Sequence, residues 1–274
     1  MPAGQAPAYG TADAAALPAG PALITWQDGQ PFSPLYGDRY HTLSGARAQA
    51  EHVFLGGCNL PRAWLSSGRW TILETGFGLG LNFLSTWACW LATRPAPAPA
   101  TAGHDTRPIR HLRFVSTEAH PVGADDIRQA AADDPVLQPL AAQLAQRWAE
   151  ISLQAPILHF CFPGTAEVPD GTVELIILLG DSTRVLDAWL QQHGPLHADS
   201  VFLDGFDPRK NPAMWQASTL QALARHCRPG TRLATWCVAR SVRDALGQAG
   251  FRLHKRPGLP PKRHCLAGEW PDTP

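Results

Sequence analysis

The residues best suited to chemistry in this 274-residue sequence lie around one glycine-rich turn. The segment Glu74–Phe83 reads Glu-Thr-Gly-Phe-Gly-Leu-Gly-Leu-Asn-Phe and directly follows the apolar run Trp70–Leu73. A strand, a glycine turn and a helix start bring the backbone close to a ligand and offer it unpaired N–H groups. Glu74 adds a carboxylate two positions before the first glycine. That charge would repel the pyrophosphate of a dinucleotide, so the segment favours a cationic ligand.

S-adenosyl-L-methionine (SAM) is such a ligand, because it carries an ammonium group and a sulfonium group. The order acid-x-Gly-x-Gly-x-Gly also resembles motif I of class I SAM-dependent methyltransferases more than the G-x-G-x-x-G motif of NAD-binding folds. We therefore predict SAM as the cofactor and consider an NAD-dependent oxidoreductase the least favoured enzyme class. The cofactor contacts predicted in this segment are Glu74, Gly76, Phe77, Gly78, Gly80 and Asn82.

Two more acidic residues follow predicted strands, where an open α/β sheet binds its ligands. Glu118 ends the strand 112–117, and its carboxylate is predicted to accept hydrogen bonds from the ribose hydroxyls of the cofactor. Asp181 follows the strand 172–179 and is predicted to accept a hydrogen bond from the adenine amino group. For both residues the alternative is a helix N-cap, which uses the same side-chain type.

The most distinctive strand end is Asp204, which follows the apolar run Val201–Leu203. The segment 204–215 reads Asp-Gly-Phe-Asp-Pro-Arg-Lys-Asn-Pro-Ala-Met-Trp, which is too rich in proline and aromatic residues for an ordinary loop. In class I methyltransferases this position places the acceptor atom beside the sulfonium. Asp204 is therefore predicted to be the catalytic residue and also a cofactor contact.

Charge and composition limit the remaining possibilities. The formal net charge is zero, which argues against a generally basic nucleic-acid binder. Between residues 225 and 263, however, ten Lys or Arg residues stand against one acid, which predicts either solvated element ends or a phosphate-contacting surface. The six cysteines and eleven histidines have no metal-ligand spacing, and no run of eighteen apolar residues is present. We therefore predict neither a metal site nor a membrane span, and a cytoplasmic location.

The order of elements predicts an α/β fold with three segments. Residues 1–22 are predicted to be a disordered Ala/Pro-rich tail, residues 23–69 an N-terminal cap with a short hairpin, and residues 70–270 the catalytic domain. In that domain strands and helices alternate, apart from a proline-rich loop at 94–110, which is typical of a Rossmann-like, mainly parallel sheet. We predict seven strands, the last two (251–256 and 263–267) forming a C-terminal antiparallel hairpin. Helices are predicted from about Leu79 to Ala92 and at 212–227.

From about Tyr36 to Leu266 the chain resembles the methyltransferase domain of the MnmC family, which modifies the wobble uridine of bacterial tRNA. The matching stretches include the glycine turn, 52–57, 114–118 and 180–181, and the strongest is Phe202–Phe206 with Pro208, 210–212 and Met214–Trp215. Near the C-terminus, Lys262–Cys265 reads Lys-Arg-His-Cys where the family has Lys-Arg-Glu-Met.

This resemblance implies a class I fold that transfers the methyl group of SAM to the exocyclic amine of 5-aminomethyl-(2-thio)uridine at the wobble position. The predicted partners are the anticodon region of tRNA and an FAD-dependent oxidoreductase, either separate or fused. Asp204 would hold the amine, and aromatic and proline residues would enclose it. The predicted substrate-binding residues are Phe206, Pro208, Lys210, Trp215, Arg243, Lys262 and Arg263.

Two alternatives stay open at this point. One is a SAM-dependent methyltransferase that acts on a small amine or a protein, which the zero net charge favours and the basic C-terminal segment opposes. The other is a non-catalytic relative that binds RNA or protein. That alternative predicts the loss of the pocket acids, whereas Glu74, Glu118, Asp181 and Asp204 are all present.

Overall fold

The computed structural model describes residues 22–40, 45–93, 110–150, 155–164 and 171–271. The predicted tail, apart from Ala22, and residues 94–109 of the predicted proline-rich loop lie outside these ranges. Among the described residues, none of the helices has the length and apolarity needed to cross a membrane.

The N-terminal part forms a small antiparallel sheet of three strands, which contains the short hairpin that the sequence predicts. Its strands are β1 (Thr25–Gln27), β2 (Gln30–Ser33) and β3 (Asp38–Arg39). A helical segment follows, in which α1 (Ala46–Gln49) continues as a π-helix (Ala50–Leu55), and a 3₁₀ turn (Arg62–Trp64) comes next. The side chains of Phe54 and Trp64 are fully buried, so this segment is part of the main core.

The main sheet has eight strands in the order β10-β11-β9-β8-β4-β5-β7-β6. The strands are β4 (Arg69–Thr75), β5 (Arg110–Glu118), β6 (Ile157–Phe162), β7 (Gly171–Leu179), β8 (Ala198–Leu203), β9 (Cys227–Thr235), β10 (Arg252–Pro257) and β11 (His264–Glu269). The five strands β9, β8, β4, β5 and β7 are parallel neighbours, and β10 and β11 form the predicted antiparallel hairpin. The predicted α/β architecture is confirmed. The sheet has eight strands where seven are predicted, and its edge strand β6 pairs antiparallel with β7.

Helices cover both faces of this sheet, as continuous apolar strands require. The helices are α2 (Leu81–Ala92), α3 (Ala124–Ala130), α4 (Gln138–Trp148), α5 (Ser182–His193), α6 (Ala217–Ala224) and α7 (Arg240–Gln248). The helices α2, α3 and α4 contribute to one core, with Phe83 and Trp148 among its members. The helices α5, α6 and α7 contribute to the other, with Trp189 and Leu246 among its members.

Two predicted helices have different boundaries in the structure. The helix predicted from Leu79 begins at Leu81, because Gly80 has a φ of 74° and cannot be part of a right-handed helix. The helix predicted at 212–227 is broken by Gln216, whose backbone is extended (φ −70°, ψ 154°). A 3₁₀ turn (Pro212–Trp215) precedes the break and α6 follows it.

The strand order determines where a ligand can bind. The chain leaves β4 toward β5 on one side and leaves β8 toward β9 on the other, so strand order reverses between β4 and β8. Such a reversal opens a crevice beyond the carboxyl ends of the strands. Thr75 and Leu203, the last residues of β4 and β8, are register partners. The glycine turn, which follows Thr75, and Asp204, which follows Leu203, therefore lie next to each other at this crevice.

Candidate active site

A cavity of about 570 Å³ occupies the crevice. Its volume lies within the range of small-molecule sites. The predicted residues on its wall are Gly76, Phe77, Gly78, Asn82, Glu118, Asp181, Asp204, Phe206 and Lys262. The cap contributes further wall residues, among them Tyr36, Asp38 and Tyr40. The other predicted site residues, namely Glu74, Gly80, Pro208, Lys210, Trp215, Arg243 and Arg263, are not on this wall.

The glycine turn bends back over the end of β5. The N–H groups of Gly76 and Phe77 both donate to the Thr117 carbonyl, at 3.0 and 3.1 Å. Gly76, Gly78 and Gly80 have φ values of 73°, 53° and 74°, in the left-handed region that favours glycine. The two glycines on the wall present backbone without a side chain, which leaves space for a ligand close to the chain.

Gly80 has a structural role instead of a cavity contact. It is the N-cap of α2, and a Cβ built there would lie 2.8 Å from the Cζ atom of Phe77. The Phe77 ring is buried and stacks on Trp148 at 5.4 Å, so moving the ring away from an added Cβ would disturb that stacking.

We expect Gly80→Ala to lower the thermal unfolding midpoint. The left-handed conformation alone costs an L-residue about 1–2 kcal/mol, and the contact with Phe77 adds to this cost. Gly247→Ala is the matched control, because Gly247 lies in α7 with nothing within 4 Å of a built Cβ. Alanine there should raise the midpoint, by up to about 1 kcal/mol of stability. Equal midpoints for the two variants would contradict this explanation of Gly80.

Glu118 joins the turn to the end of β5. Its Oε2 atom accepts the Gly78 N–H at 2.7 Å, and its Oε1 atom accepts the His120 N–H at 2.7 Å. Burial raises the pKa of the carboxyl, and these backbone hydrogen bonds oppose the shift. The N-cap alternative is wrong, because the next helix, α3, is capped by Gly123. Each carboxylate oxygen keeps acceptor capacity for a ligand on the cavity side.

Asp204 is held by three donors. Its Oδ1 atom accepts the Gly205 N–H at 2.8 Å and the Trp236 Nε1–H at 2.9 Å, and its Oδ2 atom accepts Asn82 Nδ2 at 2.8 Å. The Thr75 hydroxyl donates to the Asp204 carbonyl at 2.8 Å and ties β4 to β8 at this point. Burial raises the pKa of the Asp204 carboxyl, and the donors oppose that shift. The result is a fixed carboxylate that is more basic than an exposed one.

Glu74 is not on the wall, so the structure gives it no direct contact with a ligand in the cavity. Its side chain is fully buried behind Asn82. The Oε1 atom accepts from Asn82 Nδ2 at 3.0 Å, and the Oε2 atom accepts from the Ser116 hydroxyl at 2.8 Å. Burial raises the pKa of Glu74 well above its usual range. Glu74 therefore orients Asn82, which in turn holds Asp204.

Asp181 caps α5, as the alternative interpretation of the sequence had it. Its Oδ1 atom accepts the Arg184 N–H at 3.1 Å. The residue is exposed and still contributes to the cavity wall.

Aromatic side chains from the cap cover the acceptor end of the cavity. Phe206 stacks on Tyr36 with ring centroids 4.6 Å apart and meets the edge of Tyr40 at 5.1 Å. Trp215 lies behind this layer and not in it. Its Nε1–H donates to the Phe206 carbonyl at 2.8 Å, and its ring packs against Trp236 at 5.7 Å.

Hydrogen bonds and a salt bridge of Asp38 connect the cap to the loop after β8. Asp38 accepts Lys210 Nζ at 2.9 Å through Oδ1 and the Asp207 N–H at 3.0 Å through Oδ2. The predicted substrate residue Lys210 is therefore part of this contact. Pro208 lies beside it in the same loop, away from the wall.

Besides Lys210, the three other predicted basic substrate residues occupy three different environments. Lys262 lies on the wall, above the ring of Trp236. Arg263 is the next residue of the turn between β10 and β11 and is exposed. Arg243 lies in α7, away from the wall, with its Nε atom buried, and its contact with substrate stays a prediction.

Several wall residues are absent from the sequence-based prediction. The most important of them is Trp236, whose ring contacts the Lys262 ammonium and whose Nε1–H donates to Asp204. Tyr36, Asp38 and Tyr40 reach the site because the cap folds over it. The sequence signal for the cap residues is that the resemblance to the family begins at about Tyr36. Trp236 has the weaker signal of following a strand.

The charges on the wall suit a cationic ligand. Among the described residues, five carboxylates and two cationic side chains line the cavity: Asp38, Glu118, Asp181, Asp204, Asp207, Arg39 and Lys262. Hydrogen bonds from Arg209 hold the pKa of Asp207 at about 2, so its charge persists. SAM, with its ammonium and sulfonium groups, fits this wall and the side-chain-free glycine turn. A dinucleotide pyrophosphate does not fit it. Within the described ranges, no group of three or more metal-ligating side chains occurs.

Comparison with known proteins gives the same class of fold and cofactor. A family model for S-adenosyl-L-methionine-dependent methyltransferases matches residues 140–271. The chain is 48% identical over 246 residues to the tRNA 5-methylaminomethyl-2-thiouridine biosynthesis bifunctional protein MnmC of Delftia acidovorans, over 89% of this chain and 34% of that protein. The protein of the same name from Acidovorax sp. is 49% identical over 245 residues, with the same two coverages.

The crystal structure of MNMC2 from Aquifex aeolicus superposes with a TM-score of 0.62 and 20% identity, over 89% of this chain and 69% of that one. At this identity the superposition shows a shared fold. The chain spans about a third of the length of the curated relatives it matches (34% of the first).

Proposed function

We propose that this chain, which is similar to the MnmC proteins and has the fold of a class I SAM-dependent methyltransferase, methylates an aminomethyl nitrogen on the wobble uridine of tRNA. The acceptor would be 5-aminomethyl-(2-thio)uridine, and the product would be the methylaminomethyl base. The observation that carries the proposal is the Asp204 carboxylate, which three donors fix at the end of β8 beside the glycine turn.

The residues proposed to hold SAM are those of the turn and of the neighbouring strand end. Gly76, Phe77 and Gly78 offer backbone on the wall, Glu118 offers acceptors for the ribose hydroxyls, and Asn82 lies between the turn and Asp204. When bound, SAM supplies an electrophilic methyl group on a sulfonium, which a neutral amine nitrogen can accept. Asp181 remains a proposed adenine contact through the oxygen that does not cap α5.

Asp204 is proposed to manage the protons of the acceptor. Its Oδ2 atom accepts one hydrogen bond, from Asn82, and the residue faces the cavity. A carboxylate oxygen has two acceptor sites, so Oδ2 can also accept an N–H of the substrate amine. The amine gains positive charge as it is methylated, and the raised pKa of Asp204 makes it a suitable acceptor of the released proton.

The aromatic layer is proposed to keep water out of the acceptor end. Phe206, held by Tyr36, Tyr40 and the hydrogen bond from Trp215, gives that end a fixed apolar wall. Positioning is the main contribution that a protein makes to such a bimolecular step. A base in a structured anticodon loop must leave its stack to reach this site, as bases undergoing chemistry generally do.

The proposed RNA surface surrounds the cavity mouth. Arg39 lines the cavity and Arg263 lies in the turn that carries Lys262; both are exposed, and no ion pair of either with a described residue is found. Both are proposed to contact tRNA phosphates near the target nucleotide. Arg209 and Lys210 are nearby but are already paired with carboxylates.

We expect Arg263→Gln to weaken tRNA binding and to reduce the slope of log affinity against log salt concentration by about one, because one phosphate contact is lost. Arg69→Gln is the matched control. Arg69 is an exposed arginine at the first residue of β4, at the amino end of that strand, whereas the cavity lies beyond the carboxyl ends. Filter binding or fluorescence anisotropy over a salt series gives both quantities. Equal slopes for wild type and the Arg263 variant would remove Arg263 from the RNA surface.

The proposed partners are the anticodon region of tRNA and an FAD-dependent oxidoreductase, either separate or fused, that generates the aminomethyl group. The matched relatives are named as bifunctional proteins, and this chain corresponds to about a third of one (34%). A cytoplasmic location goes with this proposal, since tRNA is the substrate.

Methyl-labelled SAM tests the choice of acceptor. We expect label to enter tRNA that bears 5-aminomethyluridine, and not the same tRNA without the aminomethyl group. Label transfer to small amines or proteins at comparable efficiency would favour the broader methyltransferase instead. Label transfer to no acceptor, together with intact RNA binding, would favour the non-catalytic relative.

A further inference from the structure

Lys262 occupies an unusual position for a cation at this site. It lies in the turn 258–263 between β10 and β11, and its side chain is half-buried on the cavity wall. Its Nζ atom is 3.3 Å from the centroid of the Trp236 ring, a close cation–π contact. Among the described residues, no hydrogen bond or ion pair of this ammonium is found. The indole therefore fixes the position of this ammonium at the cavity wall.

The same indole holds the catalytic carboxylate. Trp236 Nε1–H donates to Asp204 Oδ1 at 2.9 Å, so a cation and an anion contact two parts of one ring. Their charges interact without an ion pair. Burial lowers the pKa of Lys262 while Asp204 raises it, and Lys262 in turn acts to lower the pKa of Asp204.

Asp204 by itself would create a difficulty for the proposed reaction. An alkylamine has a pKa of about 10, and a carboxylate within hydrogen-bonding distance raises the pKa of a cationic group by about 1–3 units. Asp204 would therefore favour the ammonium form, which has no lone pair for the methyl group. A fixed positive charge next to the same site acts in the opposite direction.

We propose that the ammonium of Lys262, fixed on the face of Trp236, offsets the charge of Asp204 and keeps the acceptor amine neutral. This inference rests on the proposed function, and it assigns to Lys262 an electrostatic role rather than contact with the reacting atoms. Lys262 and Trp236 are thus positioning residues that set the protonation state of the substrate.

Other groups also face Lys262 and contribute to its environment. The titratable and charged residues around it, taken from the cap, the loops after β8 and β9, and β11, are Asp38, Asp204, Asp207, Cys237, His264 and Cys265. Asp38 and Asp207 are already engaged with Lys210 and Arg209. Among these three carboxylates, Asp204 is the one for which no ion pair with a described residue is found, so Lys262 acts mainly on its charge.

The test is the pH dependence of kcat/KM for methylation of tRNA that bears 5-aminomethyluridine. In Lys262→Met the amine loses the opposing charge, its pKa rises, and the rising limb of the profile should move about one unit to higher pH. Near pH 7 this lowers kcat/KM about tenfold, and raising the pH restores the rate. Lys262→Arg keeps a cation on the indole and should keep the wild-type limb. Lys255→Met, at an exposed lysine of β10, should also keep it.

Folding and cofactor binding are checked with the same samples by thermal unfolding and by SAM calorimetry. If Lys262→Met does not fold, Lys262→Gln replaces it. If the rising limb of the pH profile does not move in Lys262→Met, or moves equally in Lys262→Arg, this inference is overturned while the proposed function stands. Wild-type protein that methylates no aminomethyluridine at any pH overturns the proposed function instead.

Discussion

Asp204→Asn is expected to lower the rate of methyl transfer about 10²- to 10⁴-fold, the range found for the loss of a proton-accepting group. Asparagine has nearly the same shape, and one of its ends can still accept from Gly205 and Trp236, which now donate to Oδ1. Its other end would present an amide NH₂ to Asn82 and to the substrate amine, where the wild type presents an acceptor. The protein should therefore fold but should not orient or deprotonate the acceptor.

Single-turnover kinetics with saturating SAM measures this effect, and calorimetry measures SAM affinity in parallel. Because Asp204 is also a predicted cofactor contact, we expect a smaller loss of affinity, of about tenfold or less. Asp187→Asn is the control, because Asp187 lies in α5 and its carboxylate forms a surface salt bridge with Arg225. If the Asp204 variant keeps near-native affinity and near-native turnover, the catalytic role is wrong.

Glu118→Gln is expected to weaken SAM binding about 10- to 100-fold. The wild-type carboxylate accepts the N–H groups of Gly78 and His120 and has acceptor sites left for two ribose hydroxyls. A hydrogen bond to a charged group contributes about 1.5–3 kcal/mol, so the loss of one accounts for this factor. The glutamine NH₂ would also oppose one of the two backbone donors and disturb the glycine turn.

Isothermal titration with SAM and with S-adenosylhomocysteine measures this loss. Both ligands contain the ribose, so both should weaken by a similar factor. Glu150→Gln, which changes an exposed carboxylate two residues after α4, should bind both ligands as wild type does. Unchanged affinity in the Glu118 variant would remove this residue from the ribose site.

The sequence predicts most of the fold because strands and turns depend on residues close to one another in the chain. Apolar runs such as 172–179 and the glycines at positive φ determine strands and turns within a few residues. It also predicts which strand ends meet, because the carboxyl ends of parallel strands share one edge of the sheet. Glu118, Asn82 and Asp204 come together on the cavity wall for this reason.

What the sequence does not predict depends on long-range contacts. The bond between Trp236 and Asp204 spans 32 positions, and the bond between Asp38 and Asp207 spans 169. No sequence pattern predicts either of these two hydrogen bonds. The position of Glu74 is a different case. Its type and place fit a ligand contact, but alternation along β4 directs its side chain into the core, next to Ser116.

The aromatic and basic substrate residues show the same limit. Trp215 stands in the distinctive segment after β8, yet the break at Gln216 places its ring behind Phe206. Lys210 and Arg263 both follow strands, but one is used in the contact with the cap and the other stays exposed. Composition alone could not separate these two outcomes.

The central claim is that this cavity transfers a methyl group to the aminomethyl nitrogen of the wobble uridine. Its most direct test is mass analysis of the nucleosides from tRNA bearing 5-aminomethyluridine after incubation with the protein and SAM. We predict that this nucleoside gains one methyl group and that fragmentation places it on the exocyclic nitrogen. An unchanged nucleoside, or a methyl group found on the base ring, on the ribose or at another position of the tRNA, would contradict the account.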